Sequence, residues 1–226
     1  MFDPSRIKKD EFNLIAAGCG TGKSYFVANK LTAYFPNVKD KQIVWITSRS
    51  LTVDQQSTEY GMQKFNKRDE DLIRSLSSVE EVRTQFETKT IMTYDKIIGI
   101  LNNHNNPDAP TLAGAKIIIL DECHTMFCDT FIFDMHVLLK AIKDIIDAGN
   151  TIVIGMTATP EIVIDESIRW GVHINPLLDD VLMAYKANRL VVSTFESVPQ
   201  MIHSGYLKGR TMIMCTSVKN CRYFKE

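Results

Sequence analysis

Eight residues, AGCGTGKS (17–24), carry the first recognisable chemistry of the chain. Gly18, Gly20 and Gly22 allow a turn tight enough for successive backbone N–H groups, those of Cys19 and Thr21 among them, to converge on a phosphate. A helix starting at this point adds the positive end of its dipole. Lys23 can reach the β- and γ-phosphates of a nucleotide, and the Ser24 hydroxyl can ligate Mg²⁺. The strict phosphate-loop pattern has glycine where this chain has Ala17, a weak departure because phosphate contact comes mainly from the later positions. A second group, IIILDECH (117–124), sets Asp121 and Glu122 side by side after an apolar run. Two adjacent carboxylates there are costly without a cation or partner. Asp121 is therefore the expected Mg²⁺ ligand, and Glu122 the expected base that orients and deprotonates an attacking water. His124 follows at a spacing suited to relaying the state of that site. A third group, GMTATP (155–160), offers the hydroxyls of Thr157 and Thr159, which can hydrogen-bond His124 or Glu122.

These residues need elements that bring them to one place. Five short runs, FNLIAA (12–17), QIVWITS (42–48), KTIMT (89–93), AKIIILD (115–121) and TIVIGMT (151–157), are rich in Ile, Val and Thr with little polar alternation. That is the pattern of strands buried on both faces. Between them lie helical periods. Val27, Leu31 and Tyr34 share a face after Lys23, and Leu138, Ile142 and Ile145 share one before Gly149, a natural C-terminal cap. Residues 54–88 read as polar helical excursions, and NNHNNPDAP (102–110) as a surface loop. Repeated β–α–β units imply an α/β fold, a mainly parallel sheet with helices on both faces. The phosphate loop and the acidic pair then share the carboxyl edge of the sheet, where open α/β sheets bind ligands.

Taken in order, the phosphate loop, Asp-Glu-Cys-His (121–124) and Thr-Ala-Thr (157–159) resemble motifs I, II and III of superfamily 2 helicases. The form is the DExH type of DEAH-box and viral NS3-type proteins. TSRSL (47–51) resembles motif Ia, Thr93-Tyr94 the Ib region, and RTMIMCTSVKNC (210–221) motif IV. The resemblance implies a RecA-like P-loop NTPase domain over 1–185 and, over 186–226, the start of a second RecA-like domain. RLVVSTF (189–195) and RTMIMCT (210–216) would be its strands, with a short helix and turn between them. It implies ATP and Mg²⁺ as ligands, single-stranded RNA or DNA as partner, and backbone contacts from Thr47, Arg49 and Thr93. No stretch resembles the arginine-rich motif VI, whose arginine is worth about 10³–10⁵ in rate in related phosphoryl transfer. The chain is thus expected to be the ATP-binding half of a longer motor that binds Mg·ATP and hydrolyses it weakly alone.

Composition narrows the alternatives. The 226 residues are 45% hydrophobic and 23% charged with a net charge of −1, which excludes fibrous and disordered classes and gives no broad basic footprint. Five scattered cysteines without a C-x-x-C pair argue against a disulfide scaffold. Cys123, His124, Cys128 and His136 cluster as a zinc site would, but the Asp-Glu-Cys-His motif explains two of them better. The N-terminus has no apolar signal segment, and no run approaches the ~18 residues that span a bilayer. A reducing, cytoplasmic location without membrane contact is the expectation. A P-loop phosphotransferase would not pair Asp-Glu-Cys-His with Thr-Ala-Thr. A nucleotide-dependent binding module without turnover stays open.

Overall fold

A computed structural model describes residues 3–66, 69, 71, 86–104, 112, 114–128, 134–179 and 198–206. The chain divides into two compact units, Met1–Ala184 and Tyr185–Glu226. Among the described residues the first holds seven strands: β1 (Phe12–Ala16), β2 (Ile43–Thr47), β3 (Gln63–Lys64), β4 (Thr90–Thr93), β5 (Ile117–Asp121), β6 (Ile152–Thr157) and β7 (Ile174–Pro176). They form one sheet in the order β3-β4-β2-β5-β6-β1-β7, every pair parallel. This is a RecA-like α/β architecture. Among the described residues no helix is long and apolar enough to cross a membrane.

The sheet is apolar on both sides because each side is covered. Phe12, Leu14, Val44, Ile46, Ile118 and Leu120 face one way. Against them pack α3 (Tyr94–His104), α5 (Met135–Ala148) and α6 (Pro160–Trp170), through residues such as Ile97, Leu138 and Val163. Ile15, Trp45, Ile117, Ile119 and Ile154 face the other way, under Val27 of α1 (Lys23–Asn29) and Val53 of α2 (Ser50–Tyr60). A single turn, α4 (Thr125–Cys128), follows the acidic strand end. The second unit is described over α7 (Val198–His203) and a turn to Tyr206, inside the segment expected to hold a short helix. The two strands expected at 189–195 and 210–216 lie outside the described residues.

Two expectations need correction. The period through Val27, Leu31 and Tyr34 is not one helix: α1 gives way to a 3₁₀ turn, Leu31–Tyr34, which swings Tyr34 out to 48% exposure. The break is anchored from outside, for Lys89 Nζ donates to Ala28 O at 2.8 Å and holds a carbonyl in the last turn of α1. The loop expected from 102 starts later, because α3 continues to His104. The short strands β3 and β7 carried no readable signal; with two and three residues they follow their neighbours' ladders. Gly149 does cap α5 in the left-handed region, with φ 65°.

Gly155 in β6 meets a tight constraint. A Cβ there would lie 2.4 Å from Phe12 Cε1 and 2.9 Å from Cys123 Sγ. Phe12 is held edge-on against Trp170 at 5.3 Å and has no room to retreat. Gly155→Ala is expected to destabilise the fold by about 1–3 kcal/mol through overpacking, seen as a lower urea midpoint at unchanged slope; an unchanged midpoint would show that the Phe12 layer yields.

Candidate functional site

Strand order creates the site. β6 lies between β1 and β5, so the end of β6 sits between the phosphate loop and the acidic turn. Its last residues bind both neighbours: Ala17 N donates to Thr157 O at 2.9 Å, and Cys123 N donates to Met156 O at 3.0 Å. The loop itself turns through Gly20 and Gly22 with φ 76° and 81°. Thr21 Oγ1 donates to Gly18 O at 2.8 Å, and Phe26 N to Gly22 O at 2.8 Å as α1 begins. Cys19 and Gly20 are exposed, while Lys23 and Ser24 are half-buried behind them.

The two carboxylates separate at this edge. Asp121 ends the strand almost fully buried, and Gln56 Nε2 of α2 donates to its Oδ2 at 2.9 Å. Burial pushes the Asp121 carboxyl above its usual range; Glu122 adds to the rise, while Gln56 and Lys23 oppose it. Glu122 then takes φ +51°, the one positive-φ residue other than glycine among the described residues. Such a conformation costs on the order of 1 kcal/mol or more and persists where the surroundings over-determine it. Here they do: Thr125 N and Oγ1 both bind Glu122 O, at 3.0 and 2.9 Å, and buried Tyr94 donates its hydroxyl to Asp121 O at 3.0 Å.

The kink directs the Glu122 side chain along the edge of the sheet. Its Oε1 lies 3.9 Å from Lys23 Nζ and its Oε2 lies 3.4 Å from His124 Nδ1. The same imidazole nitrogen is 2.9 Å from Thr157 Oγ1. Thr157 Oγ1 also accepts from Thr159 N at 3.0 Å and stands 3.3 Å from Thr159 Oγ1. A continuous polar chain therefore runs from Lys23 through Glu122 and His124 to Thr157 and Thr159.

Residues 3–162, 160 of the 226, match the family model described as type III restriction enzyme, res subunit. The chain belongs to the ResIII family. It is, at that level, a helicase-type ATPase domain. No curated protein matches the sequence. Among solved structures the chain is similar to the DUF1998 helicase MrfA, seen bound to DNA and AMPPNP, with 13% identity and a TM-score of 0.49. The similarity covers 87% of this chain and 30% of that one.

The ResIII domain places the other expected site residues unevenly. Arg49 is exposed at the residue before α2. Thr93 is half-buried, and its hydroxyl accepts from Lys96 N at 3.2 Å, capping α3. Thr47, at the C-terminal end of β2, is wholly buried, its hydroxyl without a hydrogen-bond partner. Cys123 is also wholly buried, and burial pushes its thiol far up. Among the described residues no three His, Cys, Asp or Glu side chains gather as a metal cage. Gln56, Tyr94 and Gly155 support the site without having been singled out for that part. Gln56 left one faint trace, a polar side chain three residues after Val53 on the buried face of α2.

The raised Asp121 carboxyl has a consequence for stability. A carboxyl raised on folding costs stability once charged, so the cost is absent below the unfolded value near ~3.9 and grows as pH rises through the folded value. Asp121→Asn is therefore expected to melt roughly 2–4 °C higher than the parent at pH 7, about 1 kcal/mol in a chain of this size. The gain should shrink toward pH 4; thermal scans across pH 4–8 without nucleotide check it, and a lower midpoint at pH 7 would contradict it.

Proposed function

We propose that this chain is the nucleotide-binding half of a DExH-type, ATP-driven motor on single-stranded nucleic acid. The observation that carries this is the convergence of Lys23, Glu122 and His124 on one sheet edge, with Glu122 held in a strained turn between them. ATP is the substrate, its phosphates cradled by residues 17–24. Ser24 and Asp121 supply a hydroxyl and a carboxylate, hard oxygen donors that fit Mg²⁺, which keeps several waters and needs no all-protein cage. The buried Asp121 charge, opposed by its surroundings, is what such a cation would relieve. Bound there, Mg²⁺ supplies neutralisation of charge on the β- and γ-phosphates.

The protein's own part follows from the geometry. Lys23 balances phosphate charge, and when the γ-phosphate draws that ammonium away the long 3.9 Å pairing releases Glu122 toward an attacking water. His124, bonded to Thr157, reports that change to the end of β6, and the Thr157–Thr159 turn carries it onward. Arg49 and the Thr93 hydroxyl, which caps α3 as acceptor and keeps its proton to donate, are the contacts assigned to the nucleic-acid backbone. Residues 186–226 are assigned as the opening of a second RecA-like unit. By itself the chain should turn over slowly, since its 226 residues contain nothing like the arginine-rich motif of such motors.

Steady-state phosphate release from Mg·ATP, with and without single-stranded RNA or DNA, tests the assignment. Slow release is expected, lost in Glu122→Gln while calorimetric nucleotide binding is retained; equal release by both proteins would remove Glu122 as the base. Retained binding without any release, even with a second domain supplied, would favour a nucleotide-sensing module. For the nucleic-acid contact, Arg49→Ala should weaken single-strand binding and reduce the salt slope by about 0.7, one phosphate contact. An unaltered slope would return Arg49 to an ordinary surface residue.

A further inference from the structure

Gln56 is a buried amide in the interior of a helix, 6% exposed, and half of it is unaccounted for. Its Nε2 donates to Asp121 Oδ2 at 2.9 Å, and its Oε1 is fully enclosed with no hydrogen-bond partner. A buried amide oxygen left unpaired costs about 1–3 kcal/mol. Nothing in the packing of α2 asks for it, since Val53 beside it on the same buried face is apolar. An apolar residue at position 56 would spare that cost but leave the Asp121 carboxylate without its amide donor. A second orphan lies nearby in the fold. Thr47 follows Ile46, which pairs with Leu120, so Thr47 reaches the level of Asp121 on the adjoining strand. Its hydroxyl is also buried and unpartnered. Two unsatisfied oxygens at the level of one buried carboxylate mark a place completed by hydrogen-bond donors other than protein groups, and bound water is the chemistry that fits.

We propose that Gln56 is a positioning residue for the cation site: its amide N–H group fixes one oxygen of Asp121, and its amide oxygen accepts a hydrogen bond from a water in the cation's hydration shell. The inference rests on the assignment of Asp121 as an Mg²⁺ ligand. It extends that assignment to a residue on a different element, one that begins beside the exposed Arg49. Holding a ligand carboxylate by a fixed outer donor typically carries 10–100-fold in metal affinity.

The test is binding of a non-hydrolysable ATP analogue to the full chain across an Mg²⁺ titration, with Mn²⁺ paramagnetic resonance as a direct count of bound metal. Gln56→Leu should raise the half-saturating Mg²⁺ concentration about 10-fold while leaving metal-free nucleotide affinity in EDTA unchanged. Gln56→Asn keeps the amide but withdraws it by one methylene and should behave in the same way; it serves if the leucine variant does not fold. Gln55→Leu, on the exposed side of the same helix, should match the parent. A parent chain that binds the analogue with no dependence on Mg²⁺ would overturn the cation assignment and this inference with it. A parent with normal Mg²⁺ dependence, and Gln56 variants that share it, would overturn the inference alone. Equal losses with and without metal would also overturn it, since they would make Gln56 a packing residue.

Discussion

Two carboxylates on consecutive residues, at the end of a strand buried on both faces, cannot both be charged and unpartnered. Much of the site around residues 121–124 can be understood as the resolution of that conflict. Asp121 stays in the strand and takes its donor from α2. Glu122 leaves the strand direction by a left-handed turn and takes its partners from α1 and from its own following turn. The strain at Glu122 is thus the cost of sending neighbouring charges in different directions. Bonds from Tyr94, Thr125 and Cys123 hold the backbone while it does so.

The same arrangement leaves the site electrostatically unfinished. Burial raises the Asp121 carboxyl, and the Lys23–Glu122 pair sits at the long limit of an ion pair. Both features are poor choices for the stability of an empty protein, and on the proposed function they suit one that accepts phosphates and a cation. A compact ion pair would hold Lys23 against substrate, and a solvated Asp121 would give little energy on meeting a cation. On the proposed function, this edge trades stability for readiness to bind.

Packing elsewhere in this unit is close. Gly155 lets the Phe12 ring and Cys123 close on β6 without a gap, and Trp170 locks Phe12 from the other side while its indole N–H donates to Leu139 O at 2.8 Å. Lys89 ties the end of α1 to the start of β4, so the helix that carries the phosphate loop is anchored at its far end.

Local sequence determined the parts whose physics is local. Three glycines before a lysine specify a phosphate loop, and apolar runs without alternation specify strands covered on both faces. Gly149 specifies a helix end, because each depends on neighbours a few positions away. The ends of α1 and α3 differ from what the local periods suggest, and α1 is held in its last turn from outside, by Lys89. The sequence could also name Asp121, Glu122, His124, Thr157 and Thr159 as a group, but not arrange them. It was strand order, with β6 set between β1 and β5, that put Thr157 against His124 and Ala17. It was packing of α2 that brought Gln56 to Asp121, 65 positions away, and put Thr47 out of reach of solvent. Contacts across such separations are decided by which surfaces cover which, and no spacing along the chain encodes them directly.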